Sequence, residues 1–332
     1  MNSLEVALLR KRYWVYAVIL CCLGSPARAA GIQLLDSDPN LAGATWYPCA
    51  GGPKDVPLGS LATPLVDSLR GVKDCPVTGT KLPLVIVSHG RGGWFGAHDD
   101  VEEALADAGF VVAAINHPGD NGNDSSRREA LSTWASRPED MVRLLDFMLN
   151  DWKDRAAIDP ARVGFFGFSK GGYTGLVLAG AKPDFGRFAH YCKDATGACG
   201  QLHTGETPPD PPHDARIRAA VIVDAPSEVF TQDNLAAIAI PLQIWRSELG
   251  GGGVGPSGTA RLVSSLPGKP DIHTVPAGHF AFLAPCSPQF AANLPRLCTD
   301  PPGFDRTAFH RDFDARIVGF FRDHLAGDGG TR

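Results

Sequence analysis

Short apolar runs alternate with amphipathic segments along most of this chain of 332 residues. The runs Leu82–Val87, Phe110–Ile115 and Arg162–Phe168 contain few polar residues. A strand with one face in solvent would alternate polar and apolar residues, so these runs predict strands covered on both faces. Further strands are predicted over three later ranges: Ala219–Val223, Leu242–Trp245 and Ile272–Val275.

Helices are predicted between these strands. The segment Asp99–Ala108 ends at Gly109, where a helix C-cap belongs. In Pro138–Leu149 the apolar residues recur on one face and Pro138 suits the first turn. A helix of small residues follows Phe168 and extends through Ala181, and the last helix covers Asp305–Leu325. This alternation predicts an α/β fold, with a mostly parallel, doubly wound sheet and helices on both faces.

The N-terminal segment has the composition of a targeting sequence. The basic flank Arg10-Lys11-Arg12 precedes the apolar run Tyr13–Leu23, and Ala27-Arg28-Ala29 forms an A-x-A cleavage site. The run is too short to span a bilayer, so we predict a secretory signal peptide over residues 1–29. We expect a single domain over residues 30–332 that is exported, periplasmic or secreted, with no stable membrane span.

The cysteines favour an oxidising compartment. Two of the eight, Cys21 and Cys22, lie in the predicted signal peptide, which leaves six. An even number in an exported chain suggests disulfides. The spacing favours three pairs: Cys49–Cys75, Cys192–Cys199 and Cys286–Cys298. The chain lacks C-x-x-C and H-x-x-x-H spacings, so we expect neither a metal nor a cofactor.

The net charge of the chain argues against nucleic acid as a partner. A net charge of −5 gives no basic surface for nucleic acid. We therefore expect a small-molecule substrate, and the sequence does not determine an oligomeric state. The segment Thr204–Asp214 is rich in proline and predicts an extended surface loop.

One serine has the context of a nucleophile. The motif Gly167-Phe168-Ser169-Lys170-Gly171 could arise by accident in a chain with 38 glycines. However, Ser169 directly follows a predicted strand and directly precedes a predicted helix. This context is that of a nucleophile elbow, a sharp turn that raises the serine hydroxyl above the sheet. We predict that Ser169 is a catalytic nucleophile.

A serine hydroxyl needs a base to accept its proton. His279 follows the last predicted strand and comes late in the chain, as the order serine, acid, histidine requires. His89 and His117 precede the serine, and we expect them to form loop hydrogen bonds or line a pocket. We expect His310 and His324, in the terminal helix, to lie at the surface.

The sequence leaves the acid that orients His279 open. Asp224 ends the strand after that of Ser169, and Glu248 follows the next strand. The second location is the commoner one in this type of fold. Glu248 would have to reach back along the glycine run 250–253, whereas Asp224 could equally be a turn residue before Pro226.

An oxyanion hole needs two backbone N–H groups. Lys170 follows the nucleophile and supplies one. The loop Ser88–Gly93 supplies the other, through Arg91 or Gly92. This loop is not a phosphate cradle, because it lacks both the P-loop ending and the G-x-G-x-x-G pattern.

Several motifs together resemble the α/β-hydrolase superfamily, in particular the bacterial predicted dienelactone hydrolases and the plasma-type platelet-activating-factor acetylhydrolases. These motifs are TWYP, VSHGRGG, AINHPGD, RVGFFGFSKGG, AVIVDAP, AGHFAFLAPC and LCTDPPGFDRTAFH. The resemblance implies that Ser169 is the nucleophile and His279 the base, with the amides of Arg91 and Lys170 as oxyanion donors. The acetylhydrolases carry their acid in a segment that AVIVDAP resembles, which favours Asp224 over Glu248.

The expected activity is therefore hydrolysis of carboxylic esters, with small acyl or lipid-type groups, through an acyl-enzyme. True dienelactone hydrolases use a cysteine, so Ser169 separates this chain from their activity. Three alternatives remain open: a peptidase, a polyester hydrolase, and a non-catalytic binding protein on the same scaffold.

Overall fold

The computed structural model describes residues 28–326. Within these residues ten strands form one sheet. The strands are β1 Arg28–Leu35, β2 Gly43–Ala50, β3 Lys54–Pro57, β4 Ser68–Lys73, β5 Leu82–Ser88, β6 Val111–Ile115, β7 Ile158–Phe168, β8 Ile217–Val223, β9 Leu242–Ser247 and β10 Asp271–Val275.

The helices lie between the later strands and at the C-terminal end of the described chain. They are α1 Asp99–Asp107, α2 Ser132–Asn150, α3 Lys170–Leu178, α4 Phe185–Ala189, α5 Gly197–His203, α6 Gln232–Leu235, α7 Pro256–Ser265, α8 Pro288–Asn293, α9 Pro295–Cys298 and α10 Arg306–His324. Short 3₁₀ turns occur at Gly59–Leu61, Arg155–Ala157 and His279–Phe282.

The strand order is β10-β9-β8-β7-β5-β6-β2-β1-β4-β3. The strands from β10 to β6 pair in parallel and are the six that the apolar runs predicted. The prediction omitted β1 to β4, where β2 pairs antiparallel with both β1 and β6. The observed fold is a mostly parallel sheet with helices, as predicted.

Two hydrophobic cores cover the two faces of the sheet. Along β5, Leu84 and Ile86 contribute to one core, whereas Val85 and Val87 contribute to the other. Helices α2 and α3 pack on the first face, and α1 and α10 on the second. The apolar face predicted for α2 is fully buried at Met141, Leu144, Leu145 and Met148. Burying each such side chain stabilises the fold by about 1.5–3 kcal/mol relative to exposure.

The prediction for the start of α2 was wrong, because Pro138 lies inside this helix and not in its first turn. A proline has no N–H for the carbonyl four residues earlier, here that of Trp134. The hydroxyl of Tyr173 donates to this carbonyl at 3.0 Å instead. A tertiary hydrogen bond therefore allows the helix to begin before the proline.

The predictions for the N-terminal segment, the proline-rich loop and the cysteines have different outcomes. Residues 1–27, most of the predicted signal peptide, lie outside the described residues, and Arg28 and Ala29 begin β1 opposite Ala50 and Cys49. None of the helices of the described chain is long and apolar enough to cross a membrane. The predicted loop Thr204–Asp214 has neither helix nor strand. The three predicted disulfides are present: Cys49–Cys75, Cys192–Cys199 and Cys286–Cys298.

Candidate active site

Three polar residues follow strand ends at the same edge of the parallel sheet. Ser169 follows β7, Asp224 follows β8, and His279 lies shortly after β10. The carboxyl ends of parallel strands are where open α/β sheets gather ligands. Ser169 has φ 55° and ψ −120°, and Asp224 has φ 46°. Both residues occupy backbone conformations that cost of order 1–3 kcal/mol and that cluster at functional sites.

The glycines around Ser169 are required by close backbone contacts. A Cβ at Gly167 would lie 2.2 Å from the carbonyl oxygen of Gly171, and one at Gly171 would lie 1.9 Å from that of Ser88. A Cβ at Gly90 would lie 3.3 Å from the Cβ of Ser169. The turn at Ser169 therefore packs directly against the loop that follows β5.

The three side chains form one hydrogen-bonded chain. His279 Nε2 lies 3.0 Å from Ser169 Oγ, and His279 Nδ1 lies 2.6 Å from Asp224 Oδ2. These contacts fit a neutral imidazole that donates from Nδ1 to the carboxylate and accepts the serine proton at Nε2. The ring of Phe168 stacks on that of His279 at 4.6 Å between centroids. All three polar residues are buried.

Asp224, and not Glu248, contacts the histidine. The backbone N–H and the hydroxyl of Ser247 also donate to the Asp224 carboxylate, at 2.9 and 2.7 Å. The side chain of Glu248 is exposed and makes no hydrogen bond within the described residues, while its backbone N–H donates to Val275. The glycine run turns over His279 itself, since a Cβ at Gly252 would lie 2.6 Å from the ring.

The two backbone N–H groups proposed as oxyanion donors have no acceptor within the described residues. Within the described chain, the N–H groups of Arg91 and Lys170 donate to no backbone or side-chain oxygen. Gly92, the other candidate in this loop, donates its N–H to Asp120 Oδ1 at 2.8 Å. Of the two candidates, Arg91 is therefore the one whose amide remains available.

A buried group of charges beneath this loop was missed by the sequence analysis. Asp120 and Arg137 are both 0 % exposed, and Lys170 is 5 % exposed. Burial alone would raise the pKa of Asp120, but Arg137 and Lys170 outweigh it and lower this pKa to about 2. Burial and the charge of Arg137 lower the pKa of Lys170 to about 8. A signal was present, because Arg137 precedes Met141 by one helical turn and so lies on the apolar face of α2.

Four aromatic residues lie beside the candidate site in the sequence: Trp94 and Phe95 follow the loop Ser88–Gly93, and Phe280 and Phe282 follow His279. Phe95 and Phe282 are 1 % and 0 % exposed and belong to the core. Trp94 and Phe280 are half-buried. The ring of Phe280 packs edge-on against that of His279. The guanidinium of Arg296 lies over the Phe280 ring. Of these four residues, Trp94 and Phe280 are thus the two with exposed ring surface.

Two further histidines hold loops. His89 Nδ1 contacts the carbonyl of Gly90 at 2.7 Å. His117 bridges Ser88 Oγ at 2.8 Å and Asp140 Oδ2 at 3.0 Å. This second chain of serine, histidine and aspartate is buried, with exposed fractions of 0 %, 1 % and 3 % for Ser88, His117 and Asp140. Burial lowers the pKa of both histidines well below the ordinary value, which keeps both rings neutral.

The prediction that His310 lies at the surface was wrong. This residue is 2 % exposed, with Nδ1 2.5 Å from Asp100 and Nε2 donating to the carbonyl of Ala281. Possible ligand atoms of Asp100, His310 and Asp314 lie within 4.8 Å of one another. The two hydrogen bonds already account for both nitrogens of His310, and we assign no metal there. His324 is exposed, as expected.

The strand order, the turn at Ser169 and the edge on which these residues meet define the α/β-hydrolase fold. The chain has the α/β-hydrolase fold, and its residues 69–220, a little under half of the chain, match the dienelactone hydrolase family. It shares the fold of a ferulic acid esterase from Streptomyces cinnamoneus, with a TM-score of 0.58 and 17% sequence identity over 92% of this chain and 94% of the esterase.

A curated relative matches a shorter region. The chain is 32% identical over 106 residues to a lasso peptide isopeptidase of Asticcacaulis excentricus. The aligned region covers 29% of this chain and only 15% of the isopeptidase. This similarity therefore concerns part of each protein and not the whole relative.

Proposed function

We propose that this protein is a serine hydrolase that cleaves carboxylic esters through an acyl-enzyme. The observation that carries the proposal is the hydrogen-bonded chain from Ser169 through His279 to Asp224, with contacts of 3.0 and 2.6 Å. A binding scaffold has no need for a strained, buried arrangement of this kind. The match to the dienelactone hydrolase family supports a hydrolytic activity.

In the acylation step, Ser169 Oγ attacks the ester carbonyl carbon and its proton passes to His279 Nε2. The negative charge that develops on the carbonyl oxygen accepts hydrogen bonds from the N–H groups of Arg91 and Lys170. The tetrahedral intermediate then expels the alcohol oxygen, which takes the proton back from His279. Ser169 is left as an ester of the acyl group.

Deacylation repeats these roles with water. His279 Nε2 takes a proton from a water molecule, whose oxygen attacks the acyl carbon. Ser169 Oγ leaves with that proton, and the carboxylic acid is released. Throughout, Asp224 holds the Nδ1–H of His279 and stabilises the imidazolium that forms.

The proposal is tested by labelling with a fluorophosphonate probe and by turnover of p-nitrophenyl esters of increasing chain length. We expect one adduct on Ser169 in the folded protein and none in Ser169→Ala, with fastest turnover for one range of acyl lengths. Wild-type protein that is folded but neither labels nor hydrolyses any ester would reject the enzyme proposal.

A second candidate activity is cleavage of an amide bond. The observation in its favour is the partial similarity to an isopeptidase. The same residues can perform this reaction, provided that His279 protonates the leaving nitrogen. Peptide and isopeptide amides included in the substrate panel distinguish the two, because an esterase would leave them intact while hydrolysing the esters.

We also propose that the protein is exported. The support is the targeting composition of residues 1–29 and the three disulfides. Expression of the full chain in a bacterial host, followed by N-terminal sequencing of the periplasmic fraction, tests this. Full-length protein retained in the cytoplasm would contradict it.

A further inference from the structure

A single buried carboxylate connects the two segments that carry the oxyanion donors. Asp120 Oδ1 accepts the N–H of Gly92 at 2.8 Å, which ties it to the loop after β5. Asp120 Oδ2 accepts from Lys170 Nζ at 3.2 Å, which ties it to the start of α3. Lys170 Nζ also contacts the hydroxyl of Thr133 and lies 5.1 Å from the ring centre of Trp134.

Arg137 holds the same loop from below. Its guanidinium donates to the carbonyl of His89 at 2.6 Å and to that of Gly90 at 3.0 Å. Its Nε donates to Asp120 Oδ2 at 2.9 Å. Arginine suits this position because its planar fork presents several donors in a fixed geometry, which lysine does not.

These contacts fix the direction of the Arg91 amide. The carbonyl of Gly90 and the N–H of Arg91 belong to one planar trans peptide, so orienting the first orients the second. The carbonyl of Gly90 also accepts from Gly93 at 3.0 Å and contacts the ring of His89 at 2.7 Å. The Arg91 N–H consequently points away from Arg137, on the side of the peptide opposite this carbonyl.

We propose that Asp120, Arg137 and the side chain of Lys170 are positioning residues for the oxyanion hole, a role that rests on the proposed function. They hold the two amide donors at a fixed separation before substrate binds. Preorganised donors stabilise a developing oxyanion because no reorganisation is needed during the reaction. The group has two cations and one anion, so its net positive charge also favours the oxyanion.

The test compares steady-state kinetics of p-nitrophenyl acetate for wild type, Asp120→Ala, Arg137→Lys and Lys170→Met. Displacing an oxyanion donor costs about 10²–10³ in kcat. We expect a loss of this size in Asp120→Ala and Arg137→Lys, with KM within about threefold of wild type. Lys170→Met keeps the loop contacts of Arg137, and we expect a loss of about tenfold.

Met148→Ala is the matched control, because Met148 lies on the same helix as Arg137 and is equally buried, but it contacts the core and not the loop. We expect it to lower the melting temperature without changing kcat. If Asp120→Ala does not fold, Lys170→Met still decides the question, since it removes a buried charge and leaves the backbone hydrogen bonds in place.

Variants that melt at lower temperature but keep wild-type kcat would overturn the inference, and so would variants that raise KM alone. In either case the wild type would still label with fluorophosphonate and hydrolyse esters, so the proposed function would stand. A wild type that does neither would remove the proposed function, and this inference with it.

Discussion

The contact between His279 and Asp224 gives the sharpest test of the proposed mechanism. Replacing Asp224 with asparagine removes the negative charge but preserves the size of the side chain. The 2.6 Å contact between nitrogen and oxygen places the two charge centres roughly 4 Å apart. At an effective dielectric constant of about 20, the carboxylate then stabilises the imidazolium by about 4 kcal/mol. Since about 1.36 kcal/mol corresponds to tenfold in rate, kcat should fall by about 10³.

The assay is the initial rate of p-nitrophenyl acetate hydrolysis at saturating substrate, with Glu248→Ala as the control. Glu248 is exposed and contacts neither Asp224 nor His279, so this variant should keep kcat within about threefold of wild type. Asp224→Asn that retains a tenth or more of wild-type kcat would refute the assignment. A larger loss in Glu248→Ala than in Asp224→Asn would also refute it.

Three further predictions concern the surroundings of the site and the stability of the fold. Gly252→Ala should lower kcat by about tenfold or more, because the added Cβ meets the His279 ring at 2.6 Å; unchanged ester hydrolysis would contradict this. Tyr173→Phe leaves the carbonyl beside Pro138 unsatisfied, and calorimetry should show a loss of about 1–3 kcal/mol, whereas an unchanged melting temperature would show that water replaces the hydroxyl. Burial and the nearby acid Asp100 raise the pKa of Asp314 above its ordinary value of 3.8. Folded protein therefore keeps a proton that the unfolded chain releases, and this contribution to stability is lost as the pH rises from about 4 towards the raised pKa. Asp314→Asn cannot titrate at this position, so the variant should not lose this stability as the pH rises. The melting temperature of the variant minus that of wild type should therefore increase between pH 5 and pH 8; a difference that is constant with pH would contradict the argument.

The sequence determined the parallel half of the fold and the place of the candidate nucleophile. Continuous apolar runs define strands β5 to β8, because only strands covered on both faces can omit polar residues. The edge strand β10 is largely exposed and contains His273 and Thr274. The motif around Ser169 stands between such a strand and a helix, and this local context is fully visible in the sequence. His279 followed from chain order, since it comes shortly after β10, the last strand of the described chain.

The tertiary structure alone decided the features that depend on residues distant in the sequence. Asp224 and Glu248 both follow strands, and the course of the glycine run after Ser247 determines which carboxylate contacts His279. Polar residues such as Gln33, Thr45, Asp55 and Arg70 interrupt strands β1 to β4, and the pairing of these strands depends on partners elsewhere in the chain.

The start of α2 and the charged group beneath the oxyanion loop also depend on contacts between residues distant in the sequence. Tyr173 satisfies a carbonyl that Pro138 leaves free, and these two residues lie on different helices. Asp120 and Arg137 lie 17 positions apart in the chain, yet they meet at 2.9 Å. Such contacts form only when the sheet brings its strand ends together. Local patterns therefore located the candidate nucleophile and base, while packing determined which residues hold them in place.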